Sequence, residues 1–160
     1  MQKTDLFSAL DRAIAGEKEA RSFYLAAAAR TDDPGGAAMF QELADFESHH
    51  QEHLEALKAS LSKQGAWIQY PPRNFSKTPA AEAQGRVSGG HHTDALEALR
   101  LAIAAEENAA AEYQKLAGQA DDVQGKQMFE RLAEEEALHR RVLDDQYYAL
   151  TNRGVWLWGD

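Results

Sequence analysis

The sequence predicts an all-α protein: a four-helix bundle of two antiparallel hairpins joined by a long crossover. Three observations predict it. Four long segments are dominated by Ala, Leu, Glu, Lys, Gln and Arg with no proline inside them, the composition of strong helix formers. Two of the three connections are only a few residues long and the middle one is long, the signature of paired hairpins. The chain also repeats itself. Shifted by 89 residues, the first half aligns on the second without a gap, with roughly 21 of 51 positions identical between 4–54 and 93–143.

Each element has its own justification. The first helix is expected over about 4–30, opened by Thr4-Asp5, both good capping residues. Asp33-Pro34 opens the second, a cap followed by proline at the first helical position, and it runs over about 34–62. The third is expected over about 94–116. Thr93-Asp94 begins it, and Glu97 stands three residues after Asp94 as in a capping box. Asp121-Asp122 precedes the fourth, over about 122–150. Residues 64–92 differ in composition. They hold Pro71, Pro72, Pro79 and Gly89-Gly90, and read as a linker whose Trp67, Ile68, Tyr70 and Phe75 press onto the helices. A helix of ~28 residues is ~42 Å long, and a linker of this size spans that at ~3.3 Å per extended residue. The crossover therefore permits an up-down-down-up order within a single domain covering 1–160.

Composition narrows function. The 160 residues carry 17 Lys+Arg against 26 Asp+Glu, a formal net charge of −9, with no cysteine. Absence of Cys excludes disulfides, thiol nucleophiles, Cys-ligated zinc and cysteinyl iron–sulfur centres. The acidic balance argues against nucleic acid and anionic membranes as partners, since phosphate contacts need clustered Lys and Arg. No stretch approaches the ~20 apolar residues of a membrane span, and the N-terminus lacks a signal-type apolar run, so a cytoplasmic location is the expectation.

The carboxylates themselves point further. The apolar stripe of each helix, read at 3–4 spacing, is interrupted near its middle by an ionisable residue. Glu17 interrupts the first, Glu47 and His50 the second, Glu106 the third, and Glu136 and His139 the fourth. The small residues Ala13, Ala20, Ala102 and Ala109 flank the glutamates and leave room. Four glutamates facing one another in a core would be very costly without compensating charge, and no Lys or Arg lies on these stripes. Two divalent cations would balance them. Glu-x-x-His places both groups on one helical face, and carboxylate with imidazole suits iron, manganese or zinc. One Glu from each of two helices with Glu-x-x-His from each of the other two is a di-iron ligand set.

These residues carry a resemblance. Glu17-Lys18-Glu19-Ala20 leading to Phe23-Tyr24, the run Phe40-Gln41-Glu42-Leu43-Ala44-Asp45-Phe46-Glu47-Ser48-His49-His50, and their second-half counterparts resemble a rubrerythrin-type member of the ferritin-like superfamily, over all four helices. The resemblance implies metal ligands Glu17, Glu47, His50, Glu106, Glu136 and His139, bridged by Glu47 and Glu136. It implies tyrosines Tyr24 and Tyr113 that orient the carboxylates, and two iron ions, with manganese or zinc as substitutes. The activity implied is reduction of peroxide or O2 by electrons from an external donor. Two departures stand out. Rubrerythrins carry a further glutamate where this chain has Ala109, and they usually carry a rubredoxin-like domain, with iron held by four cysteines, that is absent here. The symmetric six-ligand pattern is closer to bacterioferritin.

Rival readings remain alongside. A ferroxidase serving iron storage is one, although only about ten residues follow the fourth helix where cage ferritins add a fifth. A non-enzymatic metal-binding protein is another. His49-His50-Gln51-Glu52-His53 contains the inverted zinc-peptidase pattern, but Leu138–Val142, its repeat counterpart, lacks it; His49 and His53 are expected outside the centre. His91-His92 is expected to be solvated loop. The apolar tail 151–160, with Trp156 and Trp158, either packs over the bundle end or forms a contact between two chains. The expected assembly is a homodimer, with hairpin exchange open to it through the long linker.

Overall fold

A computed structural model describes residues 2–75, 77–87 and 92–159. Four helices dominate it: α1 (Lys3–Arg30), α2 (Pro34–Gln64), α3 (Thr93–Gln119) and α4 (Val123–Arg153). Two short strands, β1 (Arg86–Val87) and β2 (Val155–Trp156), pair antiparallel with Arg86 opposite Trp156 and Val87 opposite Val155. The helices pack chiefly as the hairpins α1/α2 and α3/α4. Tyr24 of α1 meets Glu106 of α3, and Tyr113 of α3 meets Glu17 of α1, so α1 and α3 run antiparallel. The order is up-down-down-up, as the crossover permits.

Two of the four expected helix starts are capped as the sequence suggests. Asp33 accepts a hydrogen bond from the Gly36 N–H at 2.8 Å, with Pro34 in the first turn, and Asp122 accepts from the Gly125 N–H at 2.9 Å. The other two differ. Helix α1 starts one residue earlier, with Gln2 at the cap and no side-chain cap bond, so Thr4-Asp5 lies inside its first turn. Helix α3 is preceded by His92, again without a side-chain cap, and Glu97 turns outward to pair with Arg100 rather than closing a capping box. An exposed guanidinium one turn away is the better partner for that carboxylate. Helices α2 and α4 outrun the expected ends because the chain stays helical until a glycine adopts the left-handed conformation, at Gly65 (φ 66°) and Gly154 (φ 64°).

The core is split in two. One apolar cluster gathers Tyr24, Phe40, Leu43, Leu99, Leu143, Leu150 and Trp156; the other gathers Leu10, Ile14, Leu54, Leu57, Tyr113, Phe129 and Leu132. Between them lies the belt of ionisable residues. The linker fills the seam over α2 and α4. Tyr70 is buried and Phe75 packs on Phe46 with ring centres 4.6 Å apart. The tail settles in favour of packing: Val155, Trp156, Leu157 and Trp158 are all buried within the chain. Gln146 staples it, donating to the Val155 carbonyl at 3.0 Å and accepting from the Leu157 N–H at 2.9 Å.

The repeat extends beyond the helices. Gly65 and Trp67 correspond at the same offset to Gly154 and Trp156. Each tryptophan packs on the first turn of the second helix of the other half. A Cβ on Gly125 would lie 2.6 Å from the Trp67 ring, and one on Gly36 would lie 2.8 Å from the Trp156 ring. Gly36 and Gly125 are themselves repeat partners, so glycine is required there by close approach. Arg86 ties down the Gly36 end, donating to the Asp33 carboxylate at 2.6 Å.

Candidate metal centre

Helical periodicity brings Glu17, Glu47, His50, Glu106, Glu136 and His139 into the gap between the two apolar clusters. Each is at most 4 % exposed, although four are acids. They form two overlapping groups, Glu17–Glu47–His50–Glu136 and Glu47–Glu106–Glu136–His139, within each of which the candidate ligand atoms lie within 4.8 Å of one another. Glu47 and Glu136 belong to both groups. The imidazoles turn their Nδ1 atoms inward. His50 Nδ1 is 2.7 Å from Glu136 and 3.4 Å from Glu17; His139 Nδ1 is 3.2 Å from Glu47 and 3.4 Å from Glu106. The two rings lie nearly parallel with centres 5.9 Å apart.

Such a cluster demands positive charge. Burial, reinforced by Glu136, Glu17 and Glu106, pushes the Glu47 carboxyl well above its ordinary value. Burial and the neighbouring Glu136 raise Glu106 to about 7. Glu17 and Glu136 go the other way. Burial opposes their ionisation, but for Glu17 the hydrogen bond from Glu47 and the His50 charge outweigh it. For Glu136 the hydrogen bond from Glu106 and the charge on His50 win, and its pKa falls to about 2. Both imidazoles are pushed well above their ordinary value. Burial alone would lower them; Glu17 and Glu136 around His50, and Glu106 beside His139, reverse the sign. Glu17 Oε2 and Glu106 Oε2 are buried without a hydrogen-bond partner among the described residues. Buried polar atoms of that kind are rare in a finished core, and hard oxygen and imidazole donors converging on one gap are what a divalent transition metal takes. The residues fit a metal pair.

Both tyrosines reach the centre, crossing from one half to the other. Tyr24 donates its hydroxyl to Glu106 at 2.5 Å and Tyr113 donates to Glu17. Burial raises both phenols well above the ordinary value, so they remain donors. His49 and His53 stay out of the centre. His49 Nε2 is 2.9 Å from the Pro71 carbonyl and His53 Nδ1 is 2.7 Å from the His49 carbonyl, which removes the inverted peptidase arrangement: both rings are held by backbone oxygens. His92 lies at the mouth of α3 and is half-buried, and His91 lies outside the described residues.

The structure adds one residue that the sequence did not single out. Glu135 is 1 % exposed. It accepts from the Tyr70 hydroxyl at 3.1 Å and the Arg73 N–H at 3.2 Å, pairs with Arg131 at 3.3 Å, and stands 3.5 Å from His50 Nε2. Within the run Glu134-Glu135-Glu136, Glu135 also lies on the buried face, three residues after Leu132 and four before His139, and the linker residues Tyr70 and Arg73 complete its surroundings.

Access is one-sided. Between α1 and α3 a cleft of about 1270 Å³ is walled by Ala13, Gly16, Ala20, Ala102, Ala105 and Ala109, and Glu17, Glu47, Glu106 and Glu136 line its floor. The histidines lie on the opposite, linker-covered side.

An all-α bundle with a buried carboxylate–imidazole pair of sites in its middle defines a class, the ferritin-like proteins. The chain matches the ferritin-like domain family over residues 6–149 and belongs to it. It is also similar to the solved structure of a hypothetical protein from Pyrococcus furiosus, with 25% identity, 97% of each chain covered and a TM-score of 0.74. No curated protein matches it. No helix among the described residues is long and apolar enough to cross a membrane.

Proposed function

We propose that the protein is a dinuclear non-haem iron oxidoreductase of the rubrerythrin kind, reducing hydrogen peroxide or O2 with electrons from an external donor. The observation that carries this reading is the pair of overlapping ligand groups sharing Glu47 and Glu136. Glu47 and Glu136, common to both groups, would be shared between two iron positions, with Glu17 and His50 holding one and Glu106 and His139 the other. Bound iron supplies the redox equivalents and polarises an oxygen species. The chain supplies the setting. Tyr24 and Tyr113 hold the terminal carboxylates by hydrogen bonds across the bundle. The cleft between α1 and α3 admits small oxidants to the carboxylate side, while linker and tail close the histidine side. With no cysteine in the chain, there is no on-board Cys-based relay, so electrons come from a separate partner.

Ferroxidase activity serving iron handling is the second reading, favoured by Ala109, which lines the cleft where a rubrerythrin would present a seventh ligand, its fifth carboxylate. Anaerobic reconstitution with Fe2+ tests both. Two irons per chain are expected, with faster oxidation by H2O2 than by O2 and repeated turnover when a reductant is supplied. Faster oxidation by O2 with accumulation of ferric mineral would favour the ferroxidase. Unchanged metal content in the double variant Glu47→Ala, Glu136→Ala would overturn the metal centre altogether.

A further inference from the structure

The halves of the centre obey the 89-residue offset in every candidate ligand, but not behind the histidines. Glu135 precedes Glu136 and stands 3.5 Å from His50 Nε2. Its repeat counterpart, preceding Glu47, is Phe46. Phe46 meets His139 edge-on with ring centres 4.5 Å apart, and Phe75 meets it at 5.7 Å. Neither Nε2 makes a full hydrogen bond among the described residues, but His50 Nε2 has the Glu135 carboxylate within ion-pair distance, whereas His139 Nε2 is backed by the two phenyl rings. The linker completes each environment differently. Tyr70 and the Arg73 N–H anchor Glu135, whereas the Arg73 guanidinium lies 4.8 Å over the Phe46 ring.

An imidazole that ligates through Nδ1 carries its proton on Nε2. A carboxylate facing that proton fixes the tautomer and makes the ring a stronger donor; an aromatic edge does neither. We propose that the two metal positions are inequivalent, and that Glu135 makes the His50 position the tighter one, filled first, while the His139 position, backed by Phe46, is weaker and exchanges more readily. This rests on the metal-centre reading above. Glu135 is a positioning residue in it: it acts through His50 and touches no metal.

The test is calorimetric titration of the chelated full-length chain with Co2+, followed in parallel by the cobalt absorption spectrum. Wild type should bind two ions in steps separated by about 10-fold or more, the range over which partners behind a ligand tune affinity being about 10–100-fold. His139→Ala should keep the tight step, and His50→Ala should remove it. Glu135→Leu should weaken the tight step by about 10–100-fold with the other unchanged, and Glu135→Gln, which keeps an acceptor and the packing, should fall between. A cobalt spectrum altered at the first equivalent but not the second would mark the effect as local, which a loss of fold would not produce. Two equal steps in the wild type, retention of the tight step by His50→Ala, or equal weakening of both steps in Glu135→Leu and Glu135→Gln would overturn the inequivalence and leave the dinuclear reading standing. Failure of the wild type to bind cobalt would overturn both.

Discussion

At the scale of single residues, each half of the centre donates a hydrogen bond to a carboxylate of the other half. Tyr24 sits two turns after Glu17 and serves Glu106; Tyr113 sits two turns after Glu106 and serves Glu17. Each phenol holds one carboxylate oxygen and leaves the other, Glu17 Oε2 or Glu106 Oε2, without a protein partner. Tyr24→Phe and Tyr113→Phe should each lower metal affinity by about 10-fold, near the small end for outer partners of a metal site, with the helical content unchanged. Metal titration with circular dichroism checks both parts. The tyrosines were legible in the sequence as neighbours of their glutamates on one helical face. The exchange of partners was not, because it depends on α1 and α3 running antiparallel. Glu135 was legible only in part: standing three residues after Leu132 and four before His139, it shares the buried face that Glu134 does not, but its partners Tyr70 and Arg73 come from the linker and leave no period in the sequence.

At the scale of elements, the bundle ends are locked by a second reciprocal exchange. Trp67 follows α2 and covers Gly125 of α4; Trp156 follows α4 and covers Gly36 of α2. Alanine is the better helix former by about 1 kcal/mol, yet both glycines face an aromatic ring at a distance no Cβ tolerates. Gly36→Ala should destabilise by about 1–3 kcal/mol, the usual cost of overpacking. Gly125→Ala should cost less: Trp67 is half-buried on the linker and can give way, whereas Trp156 is buried and stapled through Gln146 and β1. Urea unfolding of the two variants beside wild type measures the difference, and equal losses would count against the asymmetry. The expected capping by Asp33 and Asp122 holds because each aspartate precedes a turn whose N–H groups have no other acceptor. Thr4-Asp5 and Thr93-Asp94 mislead because good capping residues are also tolerated within a first turn, where Asp5 and Asp94 still favour the positive end of the helix.

For the whole molecule, the buried belt links metal to stability. In the chelated protein Glu47 and Glu106 have pKa values above the ordinary value of 4.5, so the folded state holds protons that the unfolded chain has already lost. Their contribution is present below about pH 4.5 and is lost as pH rises, for Glu106 through about 7. His50 and His139, also raised, contribute below pH 6.5 and lose that contribution above it. Glu17 and Glu136 are lowered, so their contribution is present above pH 4.5 and is lost as pH falls, for Glu136 through about 2. The signs together place the stability maximum of the chelated protein on the acidic side of neutrality, with Tm declining from about pH 5 to 8. A divalent metal held by these residues would replace those protons, so the rise in Tm on metal addition should grow over the same interval. Thermal melts at several pH values, with and without Co2+, check this; a metal-induced rise that shrinks with increasing pH would contradict it.

The sequence by itself determined the four helices, the hairpin pairing and the six candidate ligands. All follow from local periodicity and from one duplication, and a helix converts spacing along the chain directly into a shared face. The direction of exchange between the halves, the linker partners of Glu135, the aromatic backing of His139, and the fate of the tail were decided only by tertiary structure. Each depends on which segment the crossover and the C-terminus lay against, and contacts between residues far apart in sequence leave no period for the chain to display. The repeat makes the centre symmetric in its candidate ligands. The linker, which covers Glu135 on one side and Phe46 on the other, makes it asymmetric in its surroundings.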